Sequence, residues 1–209
     1  MRQSFEEAAD RSFAQKHLPR LRAELEKMGL DGFVVPHEDE HQNEYLPEAN
    51  ERLAWVSGFT GSAGAAVVMK DRAAIFTDGR YTVQVRDQVD PAYFEYLDLV
   101  EGGPPAFVAR QASGSVIGYD PRLHSPTALG HIQRAAERAG ATLKAVEVNP
   151  IDLAWSQDRP GQPQATVVPH PDQFSGQASA AKRREIGTAI AQAGADVAVL
   201  TAPASLAWL

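Results

Sequence analysis

Residues 53–81, LAWVSGFTGSAGAAVVMKDRAAIFTDGRY, decide how this chain folds. Short apolar runs rich in Val, Ala, Ile and aromatics are separated by turn-forming residues, and they end on Asp78-Gly79-Arg80-Tyr81. The runs predict the central strands of one sheet. Lys70, Asp71 and Arg72 form a polar break between two apolar runs of similar length. That break predicts an antiparallel hairpin with Val67 and Val68 beside Ile75 and Phe76. Runs this apolar leave no face for water, so helices must cover both sides, and Arg80 is delivered to the rim.

Upstream, Leu18, Leu21, Leu25 and Met28 recur at helical spacing among charged residues, with Gly29 as the stop, which predicts an amphipathic helix over 17–28. Residues 32–35 then read as a buried strand ended by Pro36, and 37–50 as an acidic surface loop or a single helical turn. Downstream, a helix is expected over 82–89 before Pro91, a strand over 93–100, a helix over 105–112 and a strand over 115–119. Ser125-Pro126 places serine at an N-cap and proline at the first helical position of a helix running to Ala139 and stopped by Gly140. A last strand over 142–148 leads to a short helix opened by Asn149-Pro150 and carrying Leu153 and Trp155. The order predicts an α/β fold: a mixed six- or seven-stranded sheet with a parallel half and helices on both faces.

Residues 157–179 break the pattern. They hold Pro160, Pro163, Pro169 and Pro171 among polar and small neighbours, and read as an interdomain linker. Beyond it the N-terminal order begins again: a helix over 180–193, a stop at Gly194-Ala195-Asp196, a strand over 197–200, and Leu206-Ala207-Trp208 echoing Leu53-Ala54-Trp55. The expected division is a first domain over 1–156, the linker over 157–179, and the start of a second, homologous domain over 180–209. One helix and two short strands cannot bury a core, so the chain reads as a fragment of a longer protein.

With 209 residues and 44% hydrophobic content, the chain can build a sizeable core. A net charge of -7 disfavours nucleic-acid and anionic-membrane surfaces as partners, since both are held by basic patches. The absence of cysteine excludes disulfides, thiolate catalysis and cysteine zinc sites and fits a reducing compartment. The acidic N-terminus shows no secretory signal and no apolar run reaches membrane-spanning length, so the expected location is cytoplasmic.

Three stretches carry candidate chemistry. His37-Glu38-Asp39-Glu40-His41 fits the H-E-x-x-H pattern of zinc hydrolases, but Pro36 precedes it and residues 38–44 offer no apolar face on which a helix could pack. The glycine-rich residues 57–64 lack the spacing and the lysine of a phosphate loop and precede a strand, which favours a tight connection between strands. Asp78 could cap the following helix through its side-chain oxygen, with Gly79 easing the turn and Tyr81 packing, or Arg80 could offer its planar cationic fork to a carboxylate or carbonyl. The residues alone leave both readings open. Trp55, Trp155 and Trp208 sit among aliphatic neighbours and are expected in the core, and His124, His131 and His170 show no catalytic partners.

Val35-Pro36-His37-Glu38-Asp39-Glu40-His41-Gln42-Asn43-Glu44-Tyr45, then Ser57-Gly58-Phe59-Thr60-Gly61-Ser62-Ala63-Gly64, then Thr77-Asp78-Gly79-Arg80-Tyr81 resemble the N-terminal, creatinase-type domain of the three-domain Xaa-Pro aminopeptidases. Trp155-Ser156-Gln157-Asp158-Arg159-Pro160 and the closing Ser205-Leu206-Ala207-Trp208-Leu209 resemble that family's linker and second-domain opening. Thr60 stands where the family pattern has an acid, and Asn43 where it has serine. The resemblance implies a creatinase/prolidase N-terminal, ribonuclease H-like fold preceding a pita-bread catalytic domain with two divalent metals, manganese or zinc, that is missing here. It implies a parent enzyme that removes an N-terminal residue preceding proline. This segment would be inactive alone, bind no metal, and help shape the substrate cleft and inter-domain or oligomer contacts. Arg80 would face the substrate, with His41 and Tyr81 lining the same rim. The expected partners are a peptide with proline second, the chain's own catalytic domain, and a second copy in a homodimer. Two rival readings are a non-catalytic peptide- or protein-binding module of the same fold and a stand-alone H-E-x-x-H zinc hydrolase.

Overall fold

The computed structural model describes residues 9–209; the acidic N-terminal segment read for a signal lies largely outside them. The chain divides into two compact units, one ending at Gln162 and the other spanning Pro163–Leu209.

In the first unit, helix α1 (Phe13–Lys27) buries Leu18, Leu21 and Leu25 along one stripe, and Gly29 beyond its end has the positive φ of 65° that terminates helices. The helix starts earlier than its leucine spacing implies because Asp10 accepts hydrogen bonds from the Ser12 backbone N–H and hydroxyl at 2.8 and 2.6 Å. Strand β1 (Gly32–Pro36) is fully buried. The following loop contains a single 3-10 turn, Glu48–Asn50. Helix α2 (Arg52–Ser57) comes next, followed by strands β2 (Gly64–Met69) and β3 (Ala73–Thr77), helix α3 (Gln84–Gln88), strand β4 (Glu95–Asp98), helix α4 (Gly103–Val108) and strand β5 (Val116–Tyr119). Helix α5 (Pro126–Ala139) opens with the Ser125 hydroxyl accepting from the Ala128 N–H and closes on left-handed Gly140. Strand β6 (Thr142–Ala145) and helix α6 (Pro150–Trp155), capped by Asn149, complete the unit.

The sheet has the order β4-β3-β2-β1-β5-β6. β2 is antiparallel to both β1 and β3, whereas β1–β5, β5–β6 and β3–β4 are parallel. Alternation along the buried strands supplies two cores. Phe33, Val35, Ala66, Val68, Ala73 and Ile75 pack with residues of α1, α2 and α6. Val34, Val67, Ala74, Phe76 and Ile117 pack with residues of α4 and α5. The edge strands β4 and β6 are partly exposed, as edges in contact with water require.

Several expectations need correction. Residues 53–56 are helical, in α2, and the glycine-rich segment therefore joins a helix to β2 rather than two strands. Four apolar residues in a row fit a buried helix face as well as a strand, and here they pack beside α1. The hairpin is two residues tighter in register than expected: Val68 faces Ala73 and Val67 faces Ala74. Met69 N–H donates to the Arg72 carbonyl at 2.8 Å, so Lys70 and Asp71 alone form the loop. A shift of two preserves which face each side chain occupies, and the two cores form as the alternation requires.

The second unit holds α7 (Asp172–Ser175), α8 (Ser179–Gln192) and α9 (Pro203–Trp208). Residues 197–200 form no strand: Val197 and Val199 are 74% and 84% exposed, and no neighbouring strand offers them a ladder among the described residues. Trp55 and Trp155 are buried and stack at 5.7 Å, but Trp208 is exposed, contrary to its expected place in a core. Both L-A-W motifs lie in six-residue helices.

Candidate functional site

β1 and β3 run in the same direction, each antiparallel to β2, so the segments following both strands emerge at one rim beside the start of β2. Asp78 ends β3 in an extended conformation, and its carboxylate accepts the Arg80 backbone N–H at 2.9 Å, capping the 3-10 turn Gly79–Tyr81. The same carboxylate takes the Arg80 side chain, Nε at 3.1 Å and Nη2 at 2.8 Å. The guanidinium hydrogen bonds hold the Asp78 carboxyl below the usual range, and Asp78 in turn secures the charge on Arg80. Arg80 lies 5.1 Å from the centre of the Tyr81 ring. Its side chain remains 62% exposed, and Nη1 has no protein partner among the described residues. The Asp78 carboxylate thus caps the turn and holds the Nε–Nη2 edge of Arg80, while the other edge of the guanidinium faces water.

Tyr81 packs edge-on against Phe59 at 5.6 Å. Its hydroxyl accepts the Ser62 N–H at 3.1 Å and lies 2.8 Å from Ser62 Oγ. Ser62 Oγ donates to Glu44 Oε1 at 2.8 Å, which uses its only proton, so Tyr81 must donate to Ser62. A continuous chain, Tyr81 to Ser62 to Glu44, therefore ties the loop after β1 to the turn after β3. Gly61 makes this approach possible: a Cβ there would meet Phe59 Cζ at 2.3 Å and Tyr81 Cδ1 at 2.9 Å.

Of the three residues proposed from sequence, the fold brings Arg80 and Tyr81 together. His41 is exposed on the β1 loop, where its backbone N–H donates to Asp39, and Glu44 is the loop residue that reaches the Tyr81 network. Asp39, 1% exposed, organises that loop by accepting also from Asn43 and Asn50. Burial alone would raise its carboxyl, but the amide donors outweigh burial and lower it. Asn43, at the position where serine was expected, supplies two of those donors. Thr60, in place of the expected acid, bonds with both side-chain amide atoms of Gln88.

The H-E-x-x-H segment is not helical, so its histidines do not share a helix face. His37 is buried with Nε2 2.9 Å from the Glu44 carbonyl, while His41 points into solvent-exposed surroundings. Among the described residues no group of three or more His, Asp or Glu side chains could hold a metal ion. The residues present do not fit a metal centre, and no chemical step is assigned to one here.

Sequence reasoning missed Glu44 and Ser62, and also a second Asp-x-Arg pair after a strand of the same direction as β3. Asp120, following β5, accepts its own Arg122 N–H at 3.0 Å and the guanidinium at 3.0 and 2.8 Å, with Asn149 at 3.1 Å. Burial would raise the Asp120 carboxyl, but these donors hold it low. The repeated D-x-R spacing was the signal available.

The family model described as the creatinase/prolidase N-terminal domain matches residues 17–151, and a second model of that description matches 158–209. The chain belongs to the creatinase/prolidase N-terminal domain family. Its relatives include the probable Xaa-Pro aminopeptidase P of Aspergillus niger and that of Aspergillus fumigatus, each 34% identical over 197 residues. These alignments cover 93% of this chain but 32% and 30% of the relatives, so the chain spans about a third of their length. Among solved structures, the X-prolyl aminopeptidase of Caenorhabditis elegans, described as a cytosolic enzyme with a di-nuclear active site, superposes with a TM-score of 0.79 at 26% identity. That match covers 93% of this chain and 34% of the other. The N-terminal domain of the peptidase PepQ from Mycobacterium tuberculosis shares the creatinase/prolidase fold, with a TM-score of 0.52 at 21% identity over 66% of this chain and 98% of that one.

Proposed function

We propose that this chain is the N-terminal part of an Xaa-Pro aminopeptidase and that its rim, centred on Arg80, faces the peptide substrate. The observation that carries this reading is the 34% identity to Xaa-Pro aminopeptidases P over 93% of the chain, with a fold similarity of the same extent to a cytosolic X-prolyl aminopeptidase. Catalysis belongs to polypeptide beyond these residues, where two divalent metals, manganese or zinc, would activate water and polarise the scissile carbonyl. In this reading residues 1–156 form the first domain and 157–179 the linker, and 180–209 open a second, related domain. The parent acts in the cytosol on peptides with proline second, with its catalytic domain and a second copy as partners. Arg80 offers Nη1 to a substrate carbonyl or carboxylate, Tyr81 fixes the turn, and His41 lies along the same rim.

The test is hydrolysis of an Xaa-Pro peptide and of its Xaa-Ala counterpart by the parent enzyme and by the 209-residue chain. The expected result is manganese- or zinc-dependent cleavage of the first peptide by the parent and none by the chain. A parent that leaves Xaa-Pro bonds intact contradicts the proposal.

A further inference from the structure

A cavity of about 560 Å³ opens in the first unit between α4 and α5, on the sheet face those helices cover, and none of Arg80, Tyr81 and His41 borders it. Buried Val34, Ala65 and Ile132 form its floor, and Pro104 and Pro105, whose rings fix their backbone, line one wall. The opposite wall is one stripe of α5, on which His131, Arg134 and Arg138 follow at i, i+3 and i+7. Arg134 Nη2 donates to His131 Nδ1 at 3.1 Å. A guanidinium only donates, so Nδ1 accepts and the ring proton sits on Nε2, free to be offered elsewhere. Neither arginine has an ion pair among the described residues, although the net charge of the protein is -7. Glu38, also without a protein partner there, is the one acid in the lining, so two arginines against one glutamate leave a surplus of positive charge. His124 borders the cavity as well, and its buried Nε2 has no partner among the described residues. Burial depresses its pKa, so it is a neutral ring near pH 7 and not a third cation. Unpaired guanidinium groups beside an apolar floor suit an anion with its charge at one end and an apolar body at the other.

We infer that this cavity binds an organic carboxylate with an aliphatic body, its charge on Arg134 and Arg138 and its body on Val34, Ala65 and Ile132. The planar guanidinium fork matches a carboxylate in shape as well as charge, whereas an inorganic anion would leave the floor bare. Glu38 follows β1 at the rim, while Arg138 lies in the last turn of α5, which runs away from the rim toward the start of β6. An amino acid would therefore place its ammonium toward Glu38, and a plain carboxylic acid would leave Glu38 in water.

The test follows the ring resonances of His124 and His131 in the 209-residue chain, assigned with His-to-Gln variants, during titration at fixed pH with sodium 4-methylpentanoate and, in a second arm, leucine. Sodium acetate, 4-methylpentanamide and sodium chloride at matched ionic strength are the controls. Saturable millimolar shifts are expected with 4-methylpentanoate, with acetate about ten-fold weaker for want of an apolar body and the amide about ten-fold weaker for want of charge. Arg134→Gln and Arg138→Gln should each weaken binding several-fold and together about ten-fold or more, read at His124, while the backbone spectrum stays native. Tighter binding of leucine would identify an amino acid as the preferred form, and equal or weaker binding the plain carboxylate. Amide binding as tight as that of the acid, shifts that chloride reproduces or that never saturate, or binding undiminished in the double variant would overturn the assignment.

Discussion

At the scale of single residues, burial and charge decide more than residue type does. His17 and His124 are both depressed chiefly by burial, the latter despite the nearby Asp120 carboxylate. The folded state therefore takes up these protons at lower pH than the unfolded chain, whose imidazoles titrate at the ordinary value of 6.5. Their contribution to stability is therefore complete above that pH and is lost as pH falls. The depressed carboxylates, Asp39 and Asp120, act lower, their contribution fading only as pH drops through and below 3.8. The denaturant midpoint should thus fall between pH 7 and 5.5, and His17→Gln with His124→Gln should flatten that slope; a slope unchanged in the double variant would contradict the assignment. Little of this was legible beforehand, because His17 was one polar residue in an amphipathic pattern and its burial depends on Trp55, 38 positions away. Arg80 was legible as a candidate because Asp78-Gly79-Arg80 follows an apolar run. Glu44 and Ser62 were not, since their link exists only once two loops meet.

At the scale of elements, caps and stops were the most readable features. Ser125-Pro126 and Gly140 bounded α5 as the sequence predicts because both act through the local backbone. Residues 53–56 were misread because their apolar run has no period of its own, and packing beside α1 settles them as a helix. Residues 197–200 have strand composition, but a strand requires a neighbour. Glycine positions separate two kinds of constraint. Gly29 and Gly58 both have positive φ, 65° and 87°, but a Cβ at Gly29 meets nothing, whereas at Gly58 it would lie 2.8 Å from the Asp10 carbonyl oxygen and 3.0 Å from that of Gln88. Gly29→Ala should cost about 1 kcal/mol from backbone conformation alone, and Gly58→Ala roughly 2 to 3 kcal/mol, because rigid carbonyls must also move. Chemical denaturation of the two variants checks this, and equal losses would contradict the steric argument.

At the scale of the molecule, the two-sided sheet was readable from the unbroken apolar strands 64–69 and 73–77, whose alternate residues feed separate cores. The strand order was not, because it depends on which edges the later strands find; β5 joins β1 rather than β4. That order brings the segments following β1 and β3 to one rim and leaves Arg80 clamped by Asp78 on one edge with its other edge free. The most direct measurement of the central claim is kcat/KM on an Xaa-Pro peptide for the parent enzyme carrying Arg80→Ala, with Arg80→Lys beside it. Loss of one charge-assisted contact of about 1.5 to 3 kcal/mol predicts a fall of roughly one to two decades for alanine, only partly restored by lysine because its single ammonium cannot reproduce the fork. Kinetics unchanged by Arg80→Ala, in an enzyme that still cleaves before proline, would contradict the account.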